Sequence, residues 1–82
     1  KFKTGVLITV NVQSNIKKLG FLTQENLDIL NLPDMVSVYC PHSYAFSGEM
    51  FIVPREQVEI LTISSAEVMK IIVSGGVSIG DS

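Results

Sequence analysis

The residue pattern predicts an α+β fold: a small curled, mostly antiparallel β-sheet or partial barrel of about five strands, with a C-terminal α-helix packed on it. Three observations carry that expectation. Short β-branched runs alternate sides through most of the chain before Ser64. Turn-forming clusters separate them at short intervals: NVQSN at Asn11 to Asn15, Leu32-Pro33-Asp34, and Pro54-Arg55-Glu56. The segment Ser64 to Val77, SSAEVMKIIVSGGV, carries the start, the apolar stripe and the stop of a single helix.

From the N-terminus, Val6, Ile8 and Val10 alternate with Leu7 and Thr9 as a first strand, and Asn11 to Asn15 ends it. Ile16 to Thr23 returns as a second, in which Gly20 marks a bulge or a close backbone approach. Gln24 to Leu30 is ambiguous. Thr23 can cap a short helix with Leu27 and Leu30 on one side, but a segment of about two turns depends on packing. Pro33 ends it, and Met35 to Cys40 alternates as a third strand closed by Pro41. Pro41 to Gly48 is a loop with two aromatics, Glu49 to Val53 a fourth strand, and Gln57 to Thr62 a fifth.

In the last segment, Ser64 and Glu67 have the spacing of a capping box, with Ile63 and Val68 placed for the accompanying staple. Val68, Met69, Ile71 and Ile72 fall on one broad face, Lys70 opposite, and Gly75-Gly76 supply the left-handed stop. Such a helix docks; it does not react.

The chain has 82 residues, one domain's worth, with room for one modest core. Its apolar fraction is 46% and its charged fraction 17%, against roughly a quarter charged in ordinary soluble domains, so part of the apolar surface is expected to face a partner. Net charge is −2 and Lys17-Lys18 is the one adjacent basic pair, which argues against nucleic acid, whose phosphates need clustered cations. A run of roughly 18 apolar residues, the length of a membrane span, is missing, and Val6 to Val10 is only strand-sized. The chain opens at Lys1 without a methionine, so it is expected to be a piece of a longer protein. The single Cys40 favours a reducing compartment.

Cys40, His42, Ser43 and Ser47 invite a nucleophile reading, because a thiol or hydroxyl needs a nearby base. No nucleophile motif surrounds them, and closeness in sequence is poor evidence for a dyad. Cys40-x-His42 gives two metal ligands where structural zinc takes four. Gly75-Gly76 follow a helix, whereas phosphate-cradling glycines precede one. The acidic residues are scattered. The expectation is therefore no enzyme, no cofactor and no metal. Tyr44 and Phe46 stand out as a loop tip able to bury area in a partner, or else to fold back over one end of the sheet.

Gly20-Phe21-Leu22-Thr23 looks like a Gly-Phe-Val-Thr string. Ser47-Gly48, then Met50 to Glu56 and Val58, resembles Ser-Gly, an apolar strand and Val-Pro-Arg-Glu-Asp-Val. Ser64 to Val77 resembles a terminal helix ending Ile-Ser-Gly-Gly-Val. In this order the strings resemble the C-terminal soluble region of a bacterial membrane-protein family of unknown function, related to the plant continuous-vascular-ring (COV)-like proteins. Tyr44-Ala45-Phe46 stands where that family carries an Asn-Pro-Thr type sequence. The resemblance implies two transmembrane helices ahead of residues 1–82, a membrane location, and a soluble domain on the cytoplasmic face. It brings no catalytic residues.

The expected function is a noncatalytic, membrane-tethered module that assembles with itself or docks a membrane-protein partner at the bilayer surface. Tyr44, Phe46, Ser47, Gly48 and Ile71 are the candidate contact residues. The alternative is a regulatory small-molecule or lipid-headgroup binding domain of a transport or trafficking protein, which a polar-lined pocket between sheet and helix would favour.

Overall fold

The computed structural model describes residues 2–81. Five strands form one sheet: β1 Gly5–Asn11, β2 Ile16–Gln24, β3 Met35–Pro41, β4 Gly48–Pro54 and β5 Val58–Ile60, followed by helix α1, Ser65–Val73. The spatial order is β4-β3-β2-β1-β5 and every pair is antiparallel. The first four strands are a meander, and β5 returns to the free side of β1.

That return forces the sheet to roll. β4 and β5 sit on opposite edges, about 19 Å apart if the four strand spacings were laid flat. Yet only the turn Arg55–Gln57 joins them, and a 3-10 turn advances about 2 Å per residue. The curl gathers Val6 and Ile8 of β1, Val36, Val38 and Cys40 of β3 and Val53 of β4 into one buried cluster on the concave side, with Leu22, Phe51 and Val58 packed against it. The sheet stays open, since β4 and β5 do not pair.

Gly20 makes the curl possible. A Cβ there would lie 2.7 Å from the Tyr39 carbonyl oxygen, 2.8 Å from Cys40 Sγ and 2.9 Å from Val38 Cγ1. Strand alternation places Phe21 on the convex side, where it forms a second cluster with Val68 and Ile72 of α1, joined by Leu19, Leu61 and Met69. The two faces of one sheet thus hold two cores: one closed by curling, the other by the helix.

The helix starts as its cap predicts: Ser64 Oγ accepts from the Glu67 N–H at 3.1 Å. It ends at the glycine stop within the Ser64 to Val77 segment. α1 stops at Val73, Gly75 (φ 66) and Gly76 (φ 93) turn the chain, and Val77–Asp81 is a separate 3-10 helix. Asn11 closes the first hairpin, its side-chain oxygen accepting from the Gln13 and Ser14 amides.

The short helix after β2 is a single 3-10 turn, Asp28–Leu30, and Thr23 does not cap it. Thr23 belongs to β2, and its hydroxyl donates to the Ser37 carbonyl at 3.0 Å and lies 2.6 Å from Ser37 Oγ. A register shift between Leu22 and Gln24 brings the two hydroxyl side chains together. Leu27 is buried while Leu30 is exposed, so the pair does not share a packed side. β5 spans only Val58–Ile60, shorter than the Gln57 to Thr62 expectation, because Leu61 turns to the α1 cluster.

Candidate functional site

The β3–β4 loop is tied at three points. The His42 N–H donates to the Ser47 carbonyl at 2.8 Å, and His42 Nδ1 lies 3.0 Å from Ser47 Oγ. The Tyr44 hydroxyl crosses to the C-terminal end of α1 and donates to the Ser74 carbonyl at 2.6 Å. To reach it Tyr44 takes a left-handed backbone, φ 58, uncommon for a non-glycine residue. Its ring lies over Gly75, where a Cβ would come within 3.0 Å.

The two loop aromatics therefore have different roles. Tyr44 latches the loop to the end of α1, donating to a Ser74 carbonyl that also accepts from the Val77 N–H at 3.3 Å. Phe46 is fully exposed. Between loop and helix runs a groove of about 460 Å³ that includes Tyr39, Pro41, His42, Tyr44, Phe46 and Val73 in its lining. Phe2 forms part of one wall, its ring stacked 5.4 Å from Tyr39 and 5.1 Å from Phe21.

Of the expected contact residues, the structure brings Tyr44, Phe46 and Ser47 to this groove. Gly48 lies beneath the Tyr39 ring, which a Cβ would strike. Ile71 is on a neighbouring cleft of about 380 Å³ that it shares with Lys17, Ser43 and Gly76. Phe2, Tyr39, Met69 and Val73 join the groove without having been singled out. Tyr39 had a findable signal, since it alternates away from the concave residues Val38 and Cys40. The placing of Phe2 depends on the cross-strand register, which no local pattern shows.

The chemistry of the loop is limited by what surrounds it. His42 and Ser47 touch, as a base and a hydroxyl nucleophile must, but no carboxylate hydrogen bond to the His42 ring occurs among the described residues. Cys40 faces the concave core, 1% exposed. Burial pushes its thiol up, the Lys18 ammonium pulls it part of the way back, and Glu49 adds a smaller push upward. The thiolate is the reactive form. Among the described residues no three His, Cys, Asp or Glu side chains gather to hold a metal ion. No helix there is long and apolar enough to cross a membrane.

Cys40 supplies a direct check. In the folded protein it should resist a disulfide-exchange reagent, then react in full once denatured. Because ionisation is harder in the folded state, the stabilisation from keeping the thiol protonated is complete below the unfolded value of about 8.5 and declines as pH rises past it. Urea unfolding from about pH 7 to about pH 10 should show that alkaline loss, and Cys40→Ala should flatten it.

Among known families, the chain matches one described as "Protein of unknown function (DUF502)" over residues 1–48. The matched span holds β1, β2, β3 and the whole aromatic loop, ending on the first residue of β4. Neither a curated protein nor a solved structure matches the chain.

Proposed function

Because the chain belongs to the DUF502 family of proteins of unknown function, its role must come from its own surface, and we propose a noncatalytic, membrane-tethered module that assembles with itself or docks a protein partner at the bilayer surface. One observation carries this reading: Phe46 is wholly exposed on a loop that hydrogen bonds hold in place, beside an apolar groove. An aromatic displayed on a restrained loop loses little further freedom on binding, which is what makes such residues interface anchors. Val73, also exposed, extends the apolar surface along the same groove.

The tether rests on the resemblance to the membrane-protein family related to the COV-like proteins, in which two spans precede this region. On this reading the module lies on the cytoplasmic face, where a free thiol such as Cys40 is at home.

A second reading draws on the groove itself, whose volume is of the size that takes a small molecule. It makes the domain a regulatory small-molecule or lipid-headgroup binder of a transport or trafficking protein. The lining is largely apolar, with His42 and Ser47 among its few polar side chains, which favours protein contact over a headgroup.

The two readings separate when the protein is extracted from its native membrane in mild detergent and weighed intact by mass spectrometry. A homo-oligomer or a reproducible protein partner supports assembly. A monomer carrying a stoichiometric small molecule or lipid overturns it. Phe46→Ser should weaken assembly while shifting stability by no more than about 0.5 kcal/mol. Tyr44→Phe removes one hydrogen bond and should cost about 0.5–1.5 kcal/mol in urea unfolding.

A further inference from the structure

The two edges of the sheet are unlike. β5 is a three-residue strand, too short to template another chain, whereas β4 is seven residues long and, among the described residues, no strand pairs with its outer side. Which of its backbone groups are free follows from the ladder. The Arg55 N–H donates to the Asp34 carbonyl at 3.0 Å, and the His42 N–H to the Ser47 carbonyl at 2.8 Å. Between these ends Val36 faces Val53, Val38 faces Phe51 and Cys40 faces Glu49. Antiparallel alternation makes those the hydrogen-bonded pairs, so Gly48, Met50 and Ile52 turn their N–H and C=O groups outward. Pro54, next on that side, has no N–H to give.

We infer that β4 is a homotypic edge: two copies pair antiparallel through it about a two-fold axis at Met50, continuing the sheet from one molecule into the next. This rests on the reading of the domain as an assembly module and names its partner as a second copy. In this register Met50 faces Met50 and Gly48 faces Ile52, and all three outward donors of each copy meet carbonyls. Other registers lose partners. Centring the axis on Phe51 sets Gly48 against Pro54, which takes the Gly48 N–H but leaves the Gly48 carbonyl without a donor, and centring it on Ile52 does the same to the Met50 carbonyl while carrying Gly48 past the end of the partner strand. Centring it on Glu49 opposes two carboxylates and pushes Ile52 against the loop.

Charge favours the same register. Glu49 then lies opposite Phe51 of the second copy on the concave side, and the Phe51 ring already carries the Lys18 ammonium, its Nζ 5.5 Å from the ring centroid. Symmetry repeats this meeting of opposite charges on the other side of the axis. On the convex side Met50, 60% exposed in one molecule, is covered by its own counterpart.

Sedimentation equilibrium of the full 82-residue chain tests the pairing, with two variants at the axis. Met50 is exposed and its N–H leaves β3 untouched, so Met50→Lys should fold, as urea unfolding will verify, while setting two ammonium groups face to face. Met50→Cys should form an intermolecular disulfide on mild oxidation, since hydrogen-bonded partners have Cα atoms about 5.5 Å apart, within disulfide range; the buried Cys40 does not compete. A wild-type dimer that Met50→Lys returns to single-chain mass, with the crosslink at position 50, bears the proposal out. A dimer indifferent to Met50→Lys, uncrosslinked and dispersed by Phe46→Ser, overturns it and leaves assembly standing through the loop. A monomer at every concentration, with no protein partner recovered from the native membrane, overturns both.

Discussion

Replacing Phe21 by alanine should remove about 3–5 kcal/mol of stability, against a total of about 4–12 kcal/mol for a domain of this length. Phe21 is fully buried and holds the convex cluster, with Val68 and Ile72 of α1 above it. The variant therefore does more than open a void. α1 has nine residues, too few to hold a helix in water without a surface to pack on. Its docking and its folding are one event. Phe2 stacks on Phe21 at 5.1 Å and can lean into part of the space, which places the expected loss toward the lower end. Urea unfolding monitored by far-ultraviolet circular dichroism reads both effects. Ile29→Ala is the matched control: that side chain is 91% exposed, and its truncation should move stability by no more than about 0.5 kcal/mol. A loss below about 1 kcal/mol for Phe21→Ala would mean that the helix is held elsewhere.

The elements that could be read from the chain are those whose signals are local. β1 and β3 announced themselves by alternation, α1 by the Ser64 cap and the Gly75-Gly76 stop. Gly20 was legible as a bulge or a close approach because a glycine inside a strand gives up side-chain packing and so marks a place where a neighbouring backbone can come near. What stayed hidden depends on distant partners. Thr23 has the chemistry of an N-cap, and only the register shift that sets it beside Ser37 decides otherwise. Tyr44 and Phe46 look equivalent two residues apart. They separate because one hydroxyl finds Ser74, thirty positions away, at the price of a left-handed backbone. The apolar excess was visible in composition, but its division between two buried clusters and an exposed loop and edge is a property of the curl, set by the short link from Pro54 to Val58.

Gly20→Val should damage the fold by adding atoms, as Phe21→Ala damages it by removing them. A β-branched residue normally suits a strand, and replacing a strand glycine relieves about 0.5–1 kcal/mol of backbone entropy cost. Space decides against that gain. The first added carbon would meet the Tyr39 carbonyl oxygen at 2.7 Å, with Cys40 Sγ and Val38 Cγ1 each under 3 Å. A sulfur and a methyl can yield; the carbonyl belongs to β3, the strand next to β2, and moves only if the two strands separate. Overpacking typically costs about 1–3 kcal/mol where side chains can adjust, so Gly20→Ala should lose that much net of the entropy gain, and Gly20→Val more. A double-mutant cycle divides the cost. Gly20→Ala combined with Cys40→Ala, or with Val38→Ala, should be less destabilised than the single losses add to, because each partner removes one of the obstructing atoms. Neither should restore wild-type stability, since the carbonyl remains. A Gly20→Ala protein more stable than the parent would show that β2 and β3 stand farther apart than this packing requires, and that the concave core is held by its side chains rather than by the approach of the two backbones.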